Sequence, residues 1–176
     1  MNPAGIVFGP TATLQVGGSV AFTTADYLRL AEGNGSNSGV FHAASTEMSL
    51  LTSAPVTAFG FLNSNPAAIA VQGSTLTVQP GESISLLGGN HGFTYINPHT
   101  GATATVPDGV TVTGGRLVAS DGQISIASVA SRGEILAKNL NEPGNINGHT
   151  FTALGPLQIS QQSSIDIRGG SGGSIR

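Results

Sequence analysis

Nine acidic residues (Asp26, Glu32, Glu47, Glu82, Asp108, Asp121, Glu134, Glu142 and Asp166) and four histidines (His42, His91, His99 and His149) are the groups in this chain that could move protons or bind a metal. Acid/base cleavage of a glycosidic bond needs two carboxylates converging on one bond. Here no two acids are adjacent and no Asp-x-Asp occurs. The histidines show neither His-x-His nor His-Glu-x-x-His spacing, the patterns that put two imidazoles on one metal. His91 and His99 share one segment, where two neutral donors without an acid make a poor metal site. With no Cys there is no disulfide, no thiolate ligand and no cysteine nucleophile. Gly33 to Gly39 lacks the spacing of a phosphate-cradling loop, and Gly169 to Gly173 lacks the aspartate of a calcium-binding repeat. The expectation is a protein that is not an enzyme, with no catalytic residue, no cofactor and no metal.

Charge excludes a further class. Six basic residues, Arg29, Arg116, Arg132, Lys138, Arg168 and Arg176, are dispersed along a chain of net charge −3, so nothing forms a phosphate-neutralising stripe and no nucleic-acid partner is expected. No run of 18 apolar residues occurs, so no membrane span is expected; nor does a charged and then apolar leader open the chain.

The elements that would carry any function are short strands. In Pro66 to Gly89, Ile69/Val71, Leu76/Val78 and Ile84/Leu86 each place two apolar side chains on one face, because successive Cβ atoms alternate sides of a strand. Gly73-Ser74 and Pro80-Gly81 separate the runs with residues suited to sharp corners. Strands this short bury their faces only if the chain coils, so that each run pairs with the equivalent run of the neighbouring coil. Composition agrees: 39% of residues are hydrophobic but only 5% aromatic, and 26 glycines and nine prolines supply corners. The expected architecture is all-β, a parallel β-helix with coils of roughly 20 residues. Ile69, Val71, Leu76, Val78, Ile84, Leu86, Ile124, Ile126, Ile165 and Ile167 should point inward, and Thr75, Thr77, Ser83, Ser85, Gln123, Ser125 and Asp166 outward.

The same pattern opens the chain at Ile6-Val7-Phe8, Leu14/Val16 and Val20/Phe22, with Tyr27 to Leu30 read as a third run. Three segments break it and are expected as excursions. Residues 31–50 carry a glycine-rich loop and a small hairpin around Val40-Phe41; residues 90–108 hold Phe93 and Tyr95; residues 138–154 are polar. Phe59-Gly60-Phe61 is read as a return to the coil. Phe93 and Tyr95 form a candidate surface-contact loop, since exposed aromatics beside a rigid scaffold make sugar- and protein-binding surfaces; the alternative is that they fold back over the flank of the coil. Asn90-His91-Gly92 resembles the Gly-His-Gly of polygalacturonases, without the paired aspartates and Arg-x-Lys found there.

NPAGIVFGPTATLQVGGSVAFTTADYLRL resembles the NPNGI-type segment of the haemagglutination-activity, or two-partner-secretion, domain of filamentous haemagglutinin-like exoproteins. Asn2, Pro3, Gly5 and Ile6 match that motif, while Ala4 stands where the family usually has Asn. Residues 51–89 and 114–135 are similar to the coils that follow. The resemblance implies a right-handed parallel β-helix over residues 1–176 that continues into further coils. It also implies a fragment without the family's signal peptide, early capping strands and NPNL-type motif. For function it implies export through an outer-membrane β-barrel partner, a secreted or bacterial cell-surface location, and adhesion to glycans or proteins on host or neighbouring cells. Asn2, Pro3, Gly5 and Ile6 become secretion-motif candidates; the plainer reading is a β-turn holding the first corner. Competing functions are a polysaccharide-binding or polysaccharide-cleaving β-helix, and the stalk of a contact-dependent growth-inhibition toxin.

Overall fold

The period-two runs form strands, because aliphatic and β-branched side chains fit a pleated surface and the intervening glycines and prolines end each strand after a few residues. A computed structural model describes residues 1–32, 38–43, 48–51, 54–98, 100–137, 151–170 and 172–176, and every regular element among them is a β-strand. The chain starts with β1 (Ile6–Phe8), β2 (Thr13–Val16) and β3 (Val20–Thr23), then departs through β4 (Tyr27–Glu32), β5 (Ser38–His42) and β6 (Val56–Phe61). A second triplet follows, β7 (Ile69–Gln72), β8 (Thr75–Val78) and β9 (Ser83–Gly89), and then a hairpin of β10 (Phe93–Ile96) and β11 (Thr103–Val106). The third triplet is β12 (Val110–Thr113), β13 (Arg116–Val118) and β14 (Gln123–Val129), followed by β15 (Gly133–Leu136). The last is β16 (Leu157–Ser160), β17 (Ser164–Asp166) and β18 (Ser174–Ile175).

Equivalent strands of the triplets pair in parallel, giving three four-stranded sheets ordered β1-β7-β12-β16, β2-β8-β13-β17 and β3-β9-β14-β18. Like residues therefore stack: Leu14, Leu76, Leu117 and Ile165 form one column, and Val20, Ile84, Ile124 and Ile175 another. The core lies between the three sheets, with Ile69, Val71, Leu76, Ile84, Leu86, Val110, Leu117 and Ile124 fully buried. Val78 and Ile126 join them, so the expected inward set holds for the second and third triplets; Ile165 and Ile167 are half-buried, packed against the core from the last one. The strands and corners of one circuit, such as Ile69 to Gly89, match the expected coil length, but the departures between circuits are longer than expected, so that Ile6 pairs with Ile69 and Val110 with Leu157.

Two of the three outer faces are covered. A fourth four-stranded sheet, β15-β6-β4-β5, runs antiparallel and lies over the β3-β9-β14 face, where Phe59, Phe61, Ile135 and Phe151 pack with Leu87, Ala127 and Val129. The β10-β11 hairpin covers the β1-β7 face, with Phe93, Tyr95 and Val106 against Val7, Ala68 and Ala70. The remaining face is polar and open to solvent at Thr13, Gln15, Arg116 and Ser164.

This covering corrects several expectations. Ser85 and Ser125 point out of the stack as expected yet are buried, because their face continues into the apolar contact beneath the antiparallel sheet. Ser83 is buried too, its amide donating to the Ser19 hydroxyl at 2.9 Å. Thr75, Thr77, Gln123 and Asp166 are half-buried. Tyr27 to Leu30 and Phe59 to Phe61 are not coil runs: they pair with each other antiparallel, Tyr27 opposite Gly60. Val40 and Phe41 lie on β5, antiparallel to β4, within the first expected excursion, and residues 90–108 hold the β10-β11 hairpin. Most of the excursion at 138–154 falls outside the described residues.

Candidate functional site

Asn-Pro starts a turn well, because proline supplies the φ of the second turn position and the asparagine side chain bonds backbone two or three residues on. Both occur here. The Asn2 side-chain oxygen accepts from the Ala4 amide at 3.2 Å, its side-chain nitrogen donates to the Gly5 carbonyl at 2.9 Å, and its own carbonyl accepts from the Gly5 amide at 3.2 Å. The Asn2 amide donates to the Thr23 carbonyl at 2.9 Å, fastening the turn to the end of β3. Ile6 begins β1, opposite Ile69, and its amide reaches the Ala68 carbonyl. Ala4, where the resemblance expects Asn, is exposed, so the missing amide leaves no buried gap.

The structure brings the two candidate sets together. Gly5 is buried with φ +112°, a conformation that side-chain-bearing residues rarely adopt, and a Cβ there would lie 2.1 Å from Cε1 of Phe93. Phe93 thus folds back onto the first turn and is half-buried, and its ring centroid is 6.4 Å from that of Tyr95. Tyr95 also lies against the flank and lines a groove of about 380 Å³ together with Val7, Pro10, Thr11 and Pro98. Of the two expected aromatics, Phe93 is a packing residue and Tyr95 borders a recess.

His91 contributes backbone to the architecture. Its amide donates to the Pro66 carbonyl at 2.9 Å and its carbonyl accepts from Ala68 at 2.8 Å, while the Asp108 carboxylate accepts from the Gly92 amide at 2.8 Å. These bonds fix the base of the hairpin. Among the described residues no group of three or more His, Asp or Glu side chains gathers as a metal site, and no helix is long and apolar enough to cross a membrane. His99 and His149 lie outside the described residues.

Two features escaped the sequence reading. On the outer face of the antiparallel sheet, the Tyr27 hydroxyl donates to Glu134 at 2.6 Å and Arg29 pairs with the other carboxylate oxygen at 2.5 Å, joining β4 to β15 across β6. The Tyr27 ring reaches across because Gly60 lies beneath it; a Cβ at Gly60 would be 2.0 Å from Tyr27 Cζ. Burial, and then the hydrogen bond to Glu134, push the Tyr27 phenol up to about 12. The glycine in Phe59-Gly60-Phe61 was the available signal for a close approach. The second feature is a repeat of the first turn's sequence: Asn65-Pro66-Ala67-Ala68-Ile69 echoes Asn2-Pro3-Ala4-Gly5-Ile6, with Ile6 and Ile69 paired in register.

Compared with family models, the chain matches the TPS secretion domain over residues 1–176. No curated protein and no solved structure matches it.

Proposed function

The chain belongs to the TPS secretion domain family, a two-partner-secretion domain of filamentous haemagglutinin-like proteins of the bacterial surface, and on that premise we propose that it is the structural and adhesive segment of such an exoprotein, folded as a right-handed parallel β-helix. The observation that carries this reading is the family match over residues 1–176. The repeated passage through three parallel sheets in one order supports it. Membership implies an outer-membrane transporter as partner. A stack of this kind suits that route, because each new circuit can template on the one already outside the pore, burying apolar side chains and gaining strand pairs as it emerges.

Within the domain, Asn2, Pro3, Gly5 and Ile6 are assigned to the segment read during export. The side-chain bonds of Asn2 close within the turn, so its shape and its exposed outer surface, rather than a free amide, are what a transporter would meet. Adhesion is assigned to the flank at Tyr95, where an aromatic ring borders a groove with no charged side chain among the described residues of its lining and is suited to an uncharged glycan or a peptide. We read the domain as non-enzymatic: Asp108, which lines a recess together with His91, is engaged by the Gly92 amide.

Replacing Asn2 and Pro3 by alanine in the full-length protein tests the export assignment. Secretion lost with melting unchanged supports recognition. Secretion and melting both unchanged overturn it.

A further inference from the structure

The two Asn-Pro segments differ in the residue that precedes the isoleucine. The residue before Ile69 is Ala68, whose methyl group is fully buried against Ala70 and Val106. The equivalent residue before Ile6 is Gly5, at φ +112°, and the space a methyl would need is filled by Phe93, with Cε1, Cζ and Cδ1 at 2.1, 2.5 and 2.8 Å from the ideal Cβ position. The segment before Ile69 closes no turn of this kind, since the Ala68 amide donates to the His91 carbonyl rather than to Asn65, so the left-handed φ before the strand is peculiar to Gly5. The first turn is distinguished further by the ring lying on it.

That ring is held by later parts of the chain. Phe93 pairs with Val106 across the hairpin, and the hairpin base is tied to the second circuit through Pro66, Ala68 and His91 and closed by Asp108 on the Gly92 amide. The first turn is otherwise anchored by the Asn2 amide on Thr23 and by its own side-chain bonds. We infer that Phe93 is a positioning residue for the Asn2–Ile6 turn, so that the export segment is a composite of the first circuit and the hairpin leaving the second. The export part of this inference rests on the function proposed above; the positioning part stands on the packing. The turn accordingly reaches its final shape only after the chain through Val106 has folded.

The experiment reads amide hydrogen exchange in the purified domain and secretion of the full-length protein in the same variants. Phe93→Ala should speed exchange at Ala4, Gly5 and Ile6 by on the order of tenfold while the amides of Leu76, Ile84 and Ile124 keep their protection, since local opening need not involve the core. Tyr95→Ala, on the same strand but away from Gly5, should leave the turn unchanged. Phe93→Leu, which keeps apolar bulk, should restore part of the protection and serves as the test if the alanine variant fails to fold. Unchanged exchange at the turn in a folded Phe93 variant, or equal loosening by Tyr95→Ala, overturns the inference. Faster exchange with reduced secretion supports it in full. Faster exchange with normal secretion, in Phe93→Ala and in the Asn2/Pro3 variant alike, upholds positioning and removes the export assignment. Lost secretion in the Asn2/Pro3 variant beside unchanged exchange in Phe93→Ala does the reverse.

Discussion

Inside the parallel stack apolar residues meet apolar residues and in places their own kind: leucine on leucine in the Leu14, Leu76, Leu117 column, isoleucine on isoleucine at Ile84 and Ile124. In the antiparallel β15-β6-β4-β5 sheet the partners are unlike, Tyr27 and Glu134 both opposite Gly60, Leu28 opposite Phe59. The stack is a repeated solution, in which each circuit adds nearest-neighbour contacts of one type. The flanking sheet is solved once, by side chains that fit only each other. Damage to the stack should therefore spread through the columns, and damage to the flank should stay local.

The largest effect is expected at the centre of a column. Leu76→Asp would bury an unpaired carboxylate with no exposed surface, and is expected to abolish folding, whereas Leu76→Ala should cost about 2–5 kcal/mol. Urea unfolding followed by circular dichroism checks both; a charged variant with the wild-type midpoint would break the assigned register.

Phe61→Ala, at a residue 1% exposed beneath the flanking sheet, should remove about 3–5 kcal/mol of packing. Hydrogen exchange is expected to show β4, β6 and β15 losing protection while β8 and β13 keep theirs. Simultaneous loss everywhere would mean that the two regions unfold as one unit, and the contrast between them would fail.

Gly60→Ala tests the single-fit character of the flank, because the new methyl must displace the Tyr27 ring, at about 1–3 kcal/mol for an overpacked site. The same contact has a pH signature. The folded Tyr27 phenol titrates near 12 against 10.0 for an unperturbed phenol, so the unfolded chain releases its proton first. The contribution to stability is complete below pH 10 and is lost as pH rises through about 12. Wild type should accordingly lose stability relative to Tyr27→Phe across that window; parallel curves would show that neither the burial of the phenol nor its bond to Glu134 holds in solution.

The smallest effect belongs to the open polar face. Arg168, bonded to both carboxylate oxygens, and Arg116 at 3.7 Å hold the Asp166 carboxyl well below the usual carboxylate range. Its folded pKa is lowered, so its contribution is present above the ordinary aspartate range and fades as pH falls through the folded value. Asp166→Asn should barely move the melting temperature near neutrality, because both arginine partners are exposed and their charges are screened by water. The two curves should converge further in acid; a large loss at neutral pH would give this face a structural weight that its exposure does not suggest.

The sequence by itself determined the stack. Alternation at Ile69/Val71, Leu76/Val78 and Ile84/Leu86 is a local signal with a local cause, opposite Cβ directions on successive residues, and the corners at Gly73 and Pro80-Gly81 are equally local, so in-facing and out-facing positions followed without knowledge of any partner. The Asn2–Gly5 turn was legible for the same reason, and its resemblance to a known motif pointed to the family. Only the tertiary structure decided what covers the outside. Ser85 and Ser125 are buried because Phe59, Phe61 and Ile135 close over their face, and Tyr27 to Leu30 leaves the coil because its partners are β5 and β6, not an equivalent run one circuit away. Nothing in the sequence sets Gly5 apart from an ordinary turn glycine; in the fold Phe93, held in place by the second circuit and the base of its own hairpin, occupies the space of its missing side chain. Such pairings join residues far apart in the chain and of unlike type, and no periodicity records them; they exist only once the flanks of the stack have been brought together.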